Sequence, residues 1–181
     1  MTSTLQVQTL QGPTSGADSN IIRVADGHTL VGGQGSIIQE QITVFPPIDF
    51  TNTSTSYLQT GMEVAITPKL ASSKIVVTSI FNIQYVATTN TYYGMTARLY
   101  NLTTSAPVGI GSLGDAIIYS NGVWNPGNGH VQFAIRAVDD QTNSKALRTY
   151  GLAIGNFYTG STVTLSNNWG TNTITATEVA Q

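Results

Sequence analysis

The chain has 181 residues, of which only 9% are charged, and seven Lys+Arg against nine Asp+Glu give a net charge of −2. A usual globular protein carries about 25% charged residues, so the surface here must be built from Thr, Ser, Asn, Gln and Gly, with no basic patch for nucleic acid. There is no cysteine, which excludes disulfides and Cys-ligated metal. No apolar run approaches the ~20 residues that span a bilayer, and the opening MTSTLQVQTLQG lacks the basic start and apolar core of a signal peptide. The expectation is a chain made in a cytoplasm, with no membrane insertion.

Residues 1–38 differ from the rest. Leu5, Val7 and Leu10 sit among glutamines, then QGPTSGADSN supplies turn formers, then Ile21, Ile22 and Val24 precede the turn-like ADGH and Leu30 leads into GGQG. These apolar residues are too few for a core, so 1–38 reads as an extended arm that packs on something else. The 39–181 remainder reads as one β domain, because short strands recur between Gly, Pro, Asn and Ser.

The predicted strands are Gln41–Phe45, Tyr57–Thr60, then two organising runs within Met62–Ala87. Met62, Val64 and Ile66 alternate with Glu63, Ala65 and Thr67, and Ile75, Val77, Phe81, Ile83 and Tyr85 share a face on which Ser79 is the small polar member. The opposite face (Val76, Thr78, Ile80, Asn82, Gln84, Val86) is mixed, as where another subunit covers a sheet. Gly94–Leu102 follows with Met95, Ala97 and Leu99 inward, then Asp115–Ser120, then His130–Val138 with Val131, Phe133, Ile135 and Ala137 on one face. Leu147–Tyr158 offers Tyr150, Leu152 and Ile154, and Thr162–Ser166 and Thr173–Thr177 close the chain. The pattern predicts an all-β fold: an antiparallel β-sandwich, jelly-roll-like, preceded by the arm.

No catalytic signature emerges. His28 and His130 lie in no nucleophile context, and Asp49, Glu63, Asp115, Asp139 and Asp140 cannot be paired by spacing into the two carboxylates a glycosidase needs. Asp139–Asn143 lacks the alternation and glycine of a calcium loop and reads as a solvated hairpin turn. The expectation is a non-enzyme without metal or cofactor. Aromatic residues in small-polar frames are the one ligand signal: Tyr92 and Tyr93 in 87–93, Trp124 with Asn125 and Asn128 in 121–129, and Trp169 in 167–170. Such rings stack on sugars or, alternatively, plug sandwich ends and interfaces.

The stretch SYLQTGMEVAITPKLASSKIVVTSI resembles a module recurrent in structural proteins of tailed bacteriophages, with an aromatic and a Thr-Gly, an alternating run ending in Ile-Thr-Pro, then Ser-Ser-Lys-Ile-Val-Val. Residues 94–100, GMTARLY, are similar to its next strand, and the opening STLQVQTLQ resembles N-termini of small phage fibre-type proteins, including those of cyanobacterial viruses. The resemblance implies a virion surface protein, homotrimeric, held to tail, baseplate or capsid proteins through its arm (Leu5, Val7, Leu10, Ile21, Ile22, Val24, Leu30). Two roles fit it: a tail-fibre-type protein, whose sandwich would contact host-surface glycan through the aromatic-loop residues Tyr92, Tyr93, Trp124, Asn125, Asn128 and Trp169 read above, or a capsid decoration or head-fibre protein that stabilises the shell.

Overall fold

The computed structural model describes residues 34–45, 50–87, 93–109, 116–120, 129–140, 144–156, 161–165 and 170–181; for 85–87, 93, 116–120, 129 and 161 it describes the backbone alone. The chain divides into two units, Met1–Val31 and Gly32–Gln181, and every described residue belongs to the second. That unit is made of strands β1 (Ile37–Phe45), β2 (Phe50–Asn52), β3 (Leu58–Ile66), β4 (Lys74–Ala87), β5 (Tyr93–Asn101), β6 (Ala106–Pro107), β7 (Ala116–Ser120), β8 (Gly129–Asp139), β9 (Arg148–Asn156), β10 (Ser161–Leu165) and β11 (Asn172–Val179).

Every pairing between them is antiparallel, and the pairings nest: β1 with β11, β3 with β9, β4 with β8, β5 with β7. One sheet runs β1–β11–β4–β8, with β2 and β10 extending its first two rows; the other runs β3–β9–β5–β7, with β6 beside β5. Two sheets wound by nested pairs are a jelly roll, as the strand pattern predicts.

The core lies between the sheets because the apolar residues alternate. Met62, Val64 and Ile66 of β3 are buried while Glu63, Ala65 and Thr67 are exposed. From β4 come Ile75, Val77, Phe81 and Ile83, from β5 Met95, Ala97 and Leu99, from β9 Tyr150, Leu152 and Ile154, and from β10 and β11 Val163, Leu165, Ile174 and Ala176. Ser79 sits among them fully buried, and its hydroxyl donates to the Thr173 carbonyl at 3.2 Å. That bond removes the cost of a polar group in an apolar row.

Three local features depart from the simple period-two reading. The run 57–60 is not a separate strand: β3 is continuous through Gly61, whose φ of 80° makes a bulge that shifts the register with β9 between Gln59 and Glu63. The Thr60 hydroxyl fills the broken ladder, donating to the Leu152 carbonyl at 2.8 Å and accepting from the Met62 amide at 3.1 Å. Strand β9 is buried on both faces rather than one, because Gly151, Ala153 and Gly155 on its outward side are covered. A Cβ on Gly155 would lie 3.1 Å from Thr96 Oγ1 and 3.3 and 3.4 Å from the Thr55 and Ser56 carbonyls, so any larger residue would crowd this close approach. Finally, β4 changes partner along one edge, from β11 up to Ile80 to β10 from Ile83. At the change the Asn82 amide donates to Asn172 Oδ1 at 2.7 Å, so a side chain stands in for the missing strand.

Candidate functional site

Among the described residues, the outer face of the β1–β11–β4–β8 sheet displays several exposed side chains from three neighbouring strands. Cross-strand registers place its residues in rows: Val44, Thr173, Ile80 and Ala134; Ile42, Thr175, Thr78 and Arg136; Glu40, Thr177, Val76 and Val138. Paired residues point the same way, so each row lies on one side of the sheet. Ile42 is 58% exposed, Val44 60% and Ile80 39%, large values for β-branched side chains at sheet positions. The threonines between them present methyl groups and small hydroxyls. Arg136 and Glu40 are the charges in these rows, and Glu40 accepts a bond from Thr177 Oγ1 at 2.9 Å. The mixed face expected at Val76, Thr78, Ile80, Asn82 and Gln84 is the centre of this surface, with Asn82 buried by its bonds to Asn172.

The outer face of the other sheet is covered over β5 and β9 by its own chain, while Glu63 and Ala65 of β3 stay exposed. Tyr57 lies across it with the Arg98 guanidinium 4.4 Å from the ring centroid, and Tyr100 meets Tyr57 edge-on at 6.5 Å. The Asn52–Ser56 turn packs beside them: Asn52 Nδ2 donates to the Ile154 and Ser56 carbonyls, and Asn156 Nδ2 to the Asn52 carbonyl at 2.8 Å.

Two buried carboxylates hold the end of the sandwich opposite the 88–92 connection. Asp139 Oδ2 accepts from Tyr150 Oη at 2.7 Å, Asn101 Nδ2 at 3.0 Å and Arg148 Nη1 at 3.5 Å, all four residues being buried. Burial, then the bond to the Asp139 carboxylate, pushes the Tyr150 hydroxyl far above the usual tyrosine range. Asp139 is therefore no part of a solvated turn, as the sequence suggests; strands β5, β8 and β9 converge on it. A small cleft of about 80 Å³ lies beside it, lined by Asn101, Thr104, Val108, Asp139 and Asp140 among others. Glu178 accepts from the Lys69 and Leu70 amides at 2.9 Å and from Ser73 Oγ and Gln39 Nε2 at 2.6 Å. Burial alone would raise its pKa, but these donors together hold it below the ordinary glutamate value of 4.5.

These groups are engaged with each other and build no acid/base pair. Glu63 is exposed on the outer side of β3, in the other sheet from Asp139, and His130 is exposed at the start of β8. Among the described residues no three His, Cys, Asp or Glu approach closely enough to hold a metal.

The expected glycan residues Tyr92, Trp124, Asn125, Asn128 and Trp169 lie outside the described residues, as does the Tyr93 side chain, although the Tyr93 backbone starts β5 opposite Ser120. The expected anchoring residues Leu5, Val7, Leu10, Ile21, Ile22, Val24 and Leu30 also lie outside them, as do Asp49, Asp115 and His28. The strand ends that flank 88–92, 121–128 and 157–160 come together at one end of the sandwich, where Ala87 pairs with Ser161, Tyr85 with Gly129 and Tyr93 with Ser120. Gly170, the first described residue after Trp169, lies beside Asn82.

Fold and surface thus define an antiparallel jelly-roll domain with one partly self-covered face and, among the described residues, one open, charge-poor face. No family model and no curated protein sequence matches the chain. Among solved structures it is similar to the protein of infectious bursal virus derived T=1 particles, at 11% identity and a TM-score of 0.38, over 91% of this chain and 42% of that one. It is similar also to a mutant VP2 protein of infectious bursal disease virus in such particles, at 14% identity and a TM-score of 0.38, over 93% of this chain and 44% of that one. The chain spans less than half the length of these viral proteins. At this identity and superposition the likeness carries no functional weight.

Proposed function

We propose that the chain is a structural component of a virus particle, and that the outer face of the β1–β11–β4–β8 sheet is its contact with neighbouring particle proteins. The observation that carries the reading is the contrast between the two faces: one is covered over β5 and β9 by Tyr57, Arg98 and the Asn52–Ser56 turn, the other displays Ile42, Val44, Ile80 and Val138 around a threonine stripe. A wide, nearly uncharged β-branched surface is costly to leave in water and complementary to another apolar sheet or shell surface. The phage-module resemblance at 56–80 points to the same class.

Within that class the flat face favours attachment to a shell, as in a decoration or head-fibre protein. The fibre-type reading, with an N-terminal anchor and glycan contact through Tyr92, Tyr93, Trp124, Asn125, Asn128 and Trp169, rests on the resemblance and on those residue types. Labelled antibody against the domain, imaged on intact particles of the virus that encodes the chain, tests both. Label over the shell supports attachment there, label at the tail tip supports a fibre, and unlabelled particles overturn the virion role.

A further inference from the structure

Sheet edges are templates for another chain's strand, and proteins ordinarily spoil them with bulges, glycine, proline, charge or short length. The described edges of this sandwich follow that rule with one exception. Strand β1 carries a register break between Ile37 and Gln39, a glutamate at 40, and is followed by Pro46-Pro47. Strand β3 is bent at Gly61 and bears Glu63. Strand β6 has two residues and β7 five. Strand β8 is eleven residues long, pairs with β4 in unbroken register from Ile75↔Asp139 to Tyr85↔Gly129, and from Val131 to Val138 holds no Gly, Pro or acidic residue, Arg136 being its single charge. Among the described residues, β4 is its one strand neighbour.

The core is also unfinished along β8. Val131, Phe133, Ile135 and Ala137 point inward with Ile83, Phe81, Ser79 and Val77 of β4. Those β4 residues are at most 1% exposed, yet Val131 is 42% exposed and Phe133 and Ala137 are only half-buried. Among the described residues no strand flanks this row on its far side.

We propose that β8 of a second copy flanks it there, paired antiparallel about a two-fold axis at Ala134. A symmetric pair must keep core-facing residues opposite core-facing residues, so the axis falls on a residue and not between two. Centred on Ala134, Phe133 meets the partner's Ile135 and Val131 meets the partner's Ala137, which completes the inward row. On the outward side Gln132 meets the partner's Arg136, an amide beside a guanidinium, and Ala134 meets its own mate. Other centres fit worse: Arg136 would face the partner's Arg136, a centre on Phe133 sets Arg136 against the partner's His130, and a centre on Ile135 sets Val131 against the partner's Asp139. Self-pairing of one edge is isologous and closes at two copies, where the phage resemblance implies three. It joins the open faces of two sheets into one continuous surface, doubling the platform assigned above to particle contacts, although the pairing itself does not depend on that assignment.

The test uses the full chain, which has no native cysteine to interfere. Directly opposite Cβ atoms on antiparallel strands come within about 4.5–5.5 Å, near disulfide reach. Ala134→Cys is expected to form a disulfide-linked dimer on mild oxidation, and a mixture of Gln132→Cys and Arg136→Cys chains to link with each other more than with themselves. Ala65→Cys, exposed on the other sheet, is the collision control. Sedimentation of the unmodified chain is expected to show a dimer, kept by Ala134→Ser and weakened at least about tenfold by Ala134→Lys, which sets two cations side by side. A monomer at all soluble concentrations overturns the proposal. So does a dimer that Ala134→Lys leaves intact, or linking at Ala134→Cys no faster than at Ala65→Cys.

Discussion

Replacing Glu178 by Gln probes how the β3–β4 connection is held. The carboxylate gathers the Lys69 and Leu70 amides, the Ser73 hydroxyl and the Gln39 amide, each at 2.6–2.9 Å, in a fully buried position. A glutamine keeps one acceptor oxygen for the donors on that side, but its NH2 turns toward Gln39 Nε2 and the Lys69 amide, both donors. Bonds to a charged acceptor are worth about 1.5–3 kcal/mol each, and a buried donor left unmatched costs about 1–3 kcal/mol. Losing one strong bond and crowding one donor gives about 3 kcal/mol, or a fall of about 6–12 °C in Tm for a domain of this size. The pH dependence has a fixed sign. Because the folded pKa lies below the unfolded 4.5, the carboxylate's stabilisation is present above that value and is lost as pH falls through the lower folded value. Urea unfolding of wild type and Glu178→Gln at pH 7 and across the acid range measures both. A variant within about 0.5 kcal/mol of wild type at neutral pH, or a gap that stays constant into acid, would refute the nest as a stabilising element.

Two further substitutions test the described packing. Tyr150→Phe removes the 2.7 Å bond to Asp139 and is expected to cost about 1.5–3 kcal/mol at pH 7. Since the folded Tyr150 pKa is raised, wild-type stability should decline as pH rises above the ordinary tyrosine value of 10 while the Phe variant shows no such tyrosine-linked decline; parallel alkaline unfolding curves would contradict this. Gly155→Ala forces a methyl against the Thr55 and Ser56 carbonyls and should destabilise by about 1–3 kcal/mol, read by thermal melting, with an unchanged Tm counting against the close approach.

The sandwich was legible because the inward apolar residues recur at every second position of its main strands. Met62–Ile66, Ile75–Ile83 and Met95–Leu99 carry the period-two signal, and their inward sets are the observed core. Strand β2 was not legible: Phe50–Asn52 has three residues, too few for a periodic pattern, and is a strand because β10 pairs with it. The outward burial of β9 was hidden because Gly151, Ala153 and Gly155 look like weak strand residues, whereas their smallness is what lets the 55–59 segment and Leu102 lie on them. Asp139 read as a turn residue because its partners Asn101, Arg148 and Tyr150 are supplied by two other strands. Of the surface features, the mixed face of β4 was visible in the sequence. Its extension into rows with Ile42, Val44 and the 173–177 threonines was not, because cross-strand register is set by the winding of the whole chain.

The most direct test of the central claim is binding of the purified chain to particles that lack it, comparing wild type with an Ile42→Asp/Ile80→Asp double variant of matched fold. Both positions are exposed on the open face, so the substitutions leave the core intact. The account predicts saturable binding by wild type and loss of most of it in the double variant, with an exposed change on the opposite sheet, Glu63→Gln, binding as wild type does. Equal binding by wild type and the double variant would show that the face is not the contact.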